Sequence, residues 1–299
     1  MQLHDSASAL RSALLDRAWI QWTALGVDAL VEKDDAVVDP EALVALTAEI
    51  GADDVRLLDV SSDWCVSYGT YINGSRLKRV AREMKSPPGL IGEYAATVAK
   101  AGGPRWSMAT EPRSGYFHRG KARLDTAASN GRLRVRLRAA FGVNARADVL
   151  AALLTRPLDE MRIADLARTT RFSKENVTVA VDALVLAGLV RIRSVGNERR
   201  ASLATKSFLL PSLRGPIPQP DWIHRFGPAL LVLRFLEGSD LSPTVFAIEA
   251  RRVMDSARNP LSTEGAPILR DDAFGDEFMH AFRRWLVDFT YWLRLPSKT

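Results

Sequence analysis

The chain has 299 residues, enough for two or three domains of ordinary size, and its 47% hydrophobic and 25% charged residues exclude a disordered chain. No apolar run is long enough for a membrane span, the opening residues lack the apolar stretch of a signal peptide, and the single cysteine, Cys65, excludes an internal disulfide framework. Together these predict a cytoplasmic protein with no membrane attachment. The net charge is +6, unevenly spread. Residues 1–60 hold 12 acidic against 4 basic residues, whereas residues 105–140 hold 9 basic against 2 acidic. That asymmetry suggests a face that meets a polyanion.

Leu10, Leu14, Ala18, Trp22 and Leu25 recur at helical spacing, so a helix is predicted over 8–30. Asp39-Pro40-Glu41 reads as an N-cap, a first-turn proline and an acidic first turn, opening a helix that Gly51 stops after about Ile50. Asp53 or Asp54 caps a further helix through Trp64, and Ser75 begins another through Met84. Ser86-Pro87-Pro88-Gly89 is a break. Residues 101–131, rich in Gly, Ser, Arg and Pro, read as a loop or linker. In Arg132–Arg138, arginine alternates strictly with Leu or Val, which favours a strand with one arginine face, although Ala139 and Ala140 also permit a helix.

Residues 143–205 read as one module. Asn144 caps a helix over 145–155 closed by Pro157, Met161–Ile163 is strand-like, and a short helix runs over 163–169. Arg171-Phe172 makes a turn, and Ser173 caps a helix over 174–187 with Val177, Val181 and Leu184 inward. Gly188 sits where a helix end takes a left-handed residue. Residues 189–193 and 201–204 are strands around an exposed basic loop over 194–200. The run IADLARTTRFSKENVTVAVDALVLAGLVRI resembles the helix-turn-helix and first wing strand of MarR- and ArsR-type winged-helix regulators, departing from it at Arg171, where many relatives carry glycine. The resemblance covers about 60 residues and implies a DNA-binding regulator. The fold class predicted is mainly α, with a central winged helix-turn-helix and small β-hairpin wing between N- and C-terminal helical domains. The corresponding segments are 1–100, a basic lead-in over 101–142, 143–205, and 206–299.

In such a module the recognition helix enters the major groove with its first residues at base edges. Ser173, Lys174, Asn176, Thr178 and Val179 then project outward: Asn176 matches adenine, Thr178 a thymine methyl or phosphate, and Lys174 guanine or phosphate. Arg168, Arg171, Arg199 and Arg200 are placed on phosphates, with Arg193 and Asn197 as further wing contacts. Residues 162–200 hold 8 basic against 4 acidic residues, which favours DNA.

After the module, Pro216, Pro218 and Pro220 mark a linker, Asp221 caps a helix through Glu237, and Ser242-Pro243 opens another to about Ala257. The last helix, about 273–294, carries an aromatic stripe of Phe274, Phe278, Phe282, Trp285, Phe289 and Trp292, which reads either as core or as a dimer interface. Enzyme signatures fail: Gly102-Gly103-Pro104 lacks the residues of a phosphate loop, the four histidines are scattered, and Asn73-Gly74-Ser75 reads as a turn and cap. No enzyme, cofactor or metal site is predicted. Two readings follow. One is a dimeric, sequence-specific double-stranded DNA-binding repressor whose flanking domains dimerise or sense an effector. The other is an antitoxin-like or defence-associated partner that uses the winged helix for protein contacts, or in which the acidic first 60 residues do the binding.

Overall fold

The structure is a computed structural model, and it describes residues 3–29, 31, 34–124, 129–156, 160–204, 217–238, 241–269 and 275–297. Pro157, Pro216 and Phe274 lie outside the described residues. Before the module come α1 (Leu3–Ala24), α2 (Pro40–Ile50), α3 (Val55–Tyr68), α4 (Gly74–Glu83), α5 (Pro88–Lys100) and α6 (Leu133–Phe141). Caps set the starts. The carboxylates of Asp39 and Asp54 accept from Ala42 N and Leu57 N, and the Asn73 side chain accepts from Arg76 N, so that α4 begins at Gly74, one residue ahead of the predicted start at Ser75. After the module come α10 (Trp222–Glu237, capped by Asp221), α11 (Pro243–Thr263) and α12 (Gly275–Arg294).

The two helical flanks, expected as separate domains, share one hydrophobic core. Leu10, Trp22, Leu46 and Trp64 from the first flank pack in the same cluster as Phe226, Leu230, Phe282 and Phe289 from the second. The stripe on α12 is therefore core: Phe278, Phe282, Trp285 and Phe289 are buried and stack in succession. The module has its own core, built on Leu150, Leu153, Leu166, Val177, Val181 and Leu184.

The basic lead-in is neither spacer nor strand. Residues 101–124 lie across α3 without regular structure: Trp106 is buried, and the Tyr116 hydroxyl and Arg119 N–H donate to Asp63 Oδ1, with the His118 ring 3.1 Å away. The alternating segment forms α6, ended by Gly142 at φ +83°. A strand would place its apolar residues on one face. In the helix, Leu133 and Leu137 reach the module's core, Val135 reaches the large core, and Arg134 and Arg138 share a third face. The helix form prevails because that third face is also buried, against carboxylates.

Those carboxylates come from α2, its cap and the module. Arg76 Nη2 lies 2.6 Å from Asp39 Oδ2, and its Nη1 lies 2.6 Å from Glu41 Oε2. Arg134 Nη1 reaches Asp39 Oδ2 at 2.6 Å. Arg138 bridges Glu41 Oε1 (2.6 Å) and Asp148 Oδ2 (3.0 Å). Three guanidiniums and three carboxylates thus balance, and all six side chains are buried. Burying an ion unpaired costs several kcal/mol, so this neutral arrangement is the condition on which the helices can close around it. Burial pushes the Asp39 carboxyl up, but Arg134 and Arg76 outweigh that and hold it well below the usual range.

Removing one partner exposes the dependence. Arg138→Met should lower unfolding stability by about 3–5 kcal/mol in a urea melt, because three buried carboxylates are left with only two guanidiniums, Arg76 and Arg134, to neutralise them. The depressed Asp39 carboxyl contributes stability that is fully present above its unfolded value, about pH 4, and is lost as pH falls towards its folded value. A melting-temperature series should show this loss only on the acid limb, with Asp39→Asn less stable at neutral pH and shallower in acid.

Candidate nucleic-acid interface

The module consists of α7 (Ala145–Thr155), β1 (Met161–Arg162), α8 (Ile163–Thr170), α9 (Lys174–Leu186), β2 (Val190–Val195) and β3 (Glu198–Leu203). Asn144 caps α7 by accepting from Arg146 N, and Ser173 Oγ caps α9 by accepting from Asn176 N. The strands form an antiparallel sheet in the order β1-β3-β2. Met161, Ala201 and Ile192 lie in one row across it, the row facing the core. The adjacent row, on the opposite face, is Arg162, Arg200 and Arg193. The wing is tighter than the loop expected over 194–200. Val195 still pairs with Glu198, so the turn is only Gly196-Asn197, and Gly196 at φ +58° supplies the positive torsion a two-residue hairpin needs.

Arg171 occupies the left-handed position, φ +60°, between α8 and α9. The resemblance leads to an expectation of glycine at this position, and the backbone there has a glycine-like torsion despite the side chain. The strain is offset by contacts. Its Nη2 pairs with Glu83 and Asp221, both at 2.9 Å, and its Nη1 donates to Arg168 O at 2.7 Å. Burial pulls its pKa down, but the two carboxylates outweigh it and raise it. The expectation that Arg171 holds a phosphate is therefore corrected: its guanidinium is buried and ties the module to α4 and α10. Two further bonds reinforce that tie, since Arg76 Nε donates to Thr170 O at 2.9 Å and Arg79 donates to Arg171 O.

The other predicted residues divide into three groups. Lys174, Asn176 and Val179 are exposed at the start of α9, and the side chains of Lys174 and Asn176 have no partner among the described residues. Ser173 and Thr178 are half-buried, and the Thr178 hydroxyl donates to Lys174 O at 2.8 Å, which leaves its methyl as the outward feature. At the wing, Asn197 is exposed, Arg193 lies 3.8 Å from Glu160, and Arg199 folds back to pair with Asp182 on α9. Arg168 and Arg200 instead line a cleft of about 770 Å³ between the module and α10, together with Arg134, Asp221 and Glu264.

Sequence reasoning missed Glu175 and Arg191. Both are exposed and have no partner among the described residues, Glu175 beside Asn176 and Arg191 on the wing strand. The signal for Arg191 was available: Val190-Arg191-Ile192-Arg193 alternates as an edge strand does. Elsewhere, Cys65 is buried and accepts from the Tyr94 hydroxyl, and burial pushes its thiol up to about 12. That is the environment of an inert thiol.

A family model described as the MarR family matches residues 144–201. This segment is a MarR-family winged helix-turn-helix domain, the module of a winged-helix regulator. No curated protein and no solved structure matches the chain. The domain's presentation of α9 depends on its cap. Ser173→Ala should cost about 1 kcal/mol and speed amide exchange at Asn176, with little change at the buried amides of Val181 and Leu184.

Proposed function

We propose that this protein is a sequence-specific, double-stranded DNA-binding transcriptional regulator, acting as a dimeric cytoplasmic repressor. It places recognition helix 173–187 in the major groove and the wing on the backbone. The observation that carries this reading is the free start of α9. Lys174, Glu175, Asn176 and Val179 are exposed together on a helix whose opposite face, Val177, Val181 and Leu184, is fixed in a core. Lysine, glutamate and asparagine there match guanine, cytosine and adenine edges, Val179 suits a thymine methyl, and the helix N-terminus favours a phosphate. Arg191, Arg193 and Asn197 extend the contact along the wing. Two-fold operators match two-fold proteins, which supports a dimer. Val287 and Tyr291, exposed one turn apart on α12, offer apolar surface for it.

The alternative, protein capture by an acidic N-terminal segment, loses its support. Asp34, Asp39, Glu41, Glu49, Asp53 and Asp59 all pair with arginines of this same chain. Half of the twelve acidic residues of that segment are thus already committed within the chain, two of them in its interior, which leaves less for a basic partner.

Selection of duplexes from a random pool by the full chain, followed by anisotropy titrations, tests the proposal. A preferred sequence should emerge and bind well above random duplex; no preference overturns the reading. Asn176→Ala should narrow discrimination at one base pair by about 1–3 kcal/mol. Lys174→Ala should reduce the slope of log K against log salt by about 0.9 if it holds a phosphate. Arg171→Ala should lower the melting temperature and leave that slope unchanged.

A further inference from the structure

The outer face of α4 carries a cationic stripe of which the packing uses only Arg79, through its bond to Arg171 O. Ser75, Lys78, Arg79, Arg82 and Lys85 follow one another along the helix and its end, and all are exposed. Leu77, Val80, Ala81 and Met84 occupy the opposite, buried side. Lys78, Arg82 and Lys85 have no acidic partner among the described residues. Glu83 is the one carboxylate of α4, and Arg171 holds it. Cations near a helix C-terminus relieve its dipole, which accounts for Arg82 and Lys85. It does not account for Lys78 and Arg79 in mid-helix, where Lys78 and Arg82, one turn apart, repel each other.

The place of this stripe gives it a use. Arg79 bonds the carbonyl of Arg171, in the turn that leads into α9. Asn73, which caps α4, lines an open groove of about 430 Å³ whose other wall includes Asn176 and Val179 of α9. The cap of α4 thus borders the start of the recognition helix, and Arg79 joins the stripe to the turn that leads into it. Phosphates flank the major groove on both sides of a helix inserted there. We propose that the outer face of α4, through Lys78, Arg79 and Arg82, is a second DNA-contacting surface that takes backbone phosphates beside the base pairs read by α9. This rests on the reading of the module as a duplex-DNA binder. The contact is pre-organised, because the buried ion network and Arg171 fix α4 against the module. It adds affinity without sequence preference.

The test uses the full chain, the selected duplex and a random duplex of equal length, titrated over a series of salt concentrations. K78Q/R82Q should weaken binding to both duplexes alike and lower the slope of log K against log salt by about 1.8, two phosphates at about 0.9 each. K100Q/R105Q, on exposed cations at the end of α5 and beyond it, should leave the slope unchanged. Should the double variant melt early, Lys78→Gln alone carries the test, with an expected change of about 0.9. If the wild-type chain binds its selected duplex and the α4 variants keep its slope, the second surface is overturned and the module's function stands. If the α4 variants lose sequence preference instead of uniform affinity, the phosphate role is overturned. If the wild-type chain binds no duplex, both readings fall.

Discussion

Six buried charges hold this molecule together. Arg76, Arg134 and Arg138 face Asp39, Glu41 and Asp148, and these residues come from α4, α6, the start of α2 and α7. None of the three cations would be tolerable in that interior alone, and neither would the three anions. A hydrophobic contact between two helices accepts many alternative partners. A guanidinium that must meet two carboxylates accepts few, so the network restricts how the helical body and the winged-helix domain can dock. It also explains α6, whose apolar residues serve two cores while its arginines fill the space between them.

The same principle accounts for the chain's uneven charge. An acidic first segment and a basic middle segment suggest surfaces of opposite sign. Instead some of these charges neutralise each other: Asp59 pairs with Arg113, Asp39 with Arg134, and Glu41 with Arg138. The cations that remain without a partner among the described residues include Lys78, Arg82, Lys174 and Arg191, on α4, the start of α9 and the wing. Total charge says little about a binding face. What matters is which charges folding leaves unpaired, and here several of them border the recognition helix.

Rigid mounting links this arrangement to function. The turn before α9 is held by Arg76, Arg79 and Arg171, so the recognition helix belongs mechanically to the helical body as well as to its own small domain. The large core beneath it is continuous from α1 to α12. A change in that body therefore has a direct route to α9, the helix proposed to read base pairs, through ion pairs that either persist or break.

Local features were determined by the sequence alone. Asp39, Asn144, Ser173 and Asp221 cap the helices they precede, Gly188 adopts its left-handed torsion, and the winged-helix domain lies where its pattern places it. These signals act over a few residues, through hydrogen bonds and periodicity, so a short window contains all their physics. The tertiary structure alone decided the rest. Whether 133–141 is strand or helix depends on what its arginines meet, and Arg138 meets Glu41 across 97 residues of chain. Arg171 reads as a surface cation until Glu83 and Asp221 arrive beside it. The aromatic face of α12 becomes core only because α1 and α11 cover it. Burial of a charge or an aromatic ring is a property of its neighbours in space, and those neighbours are distant in sequence.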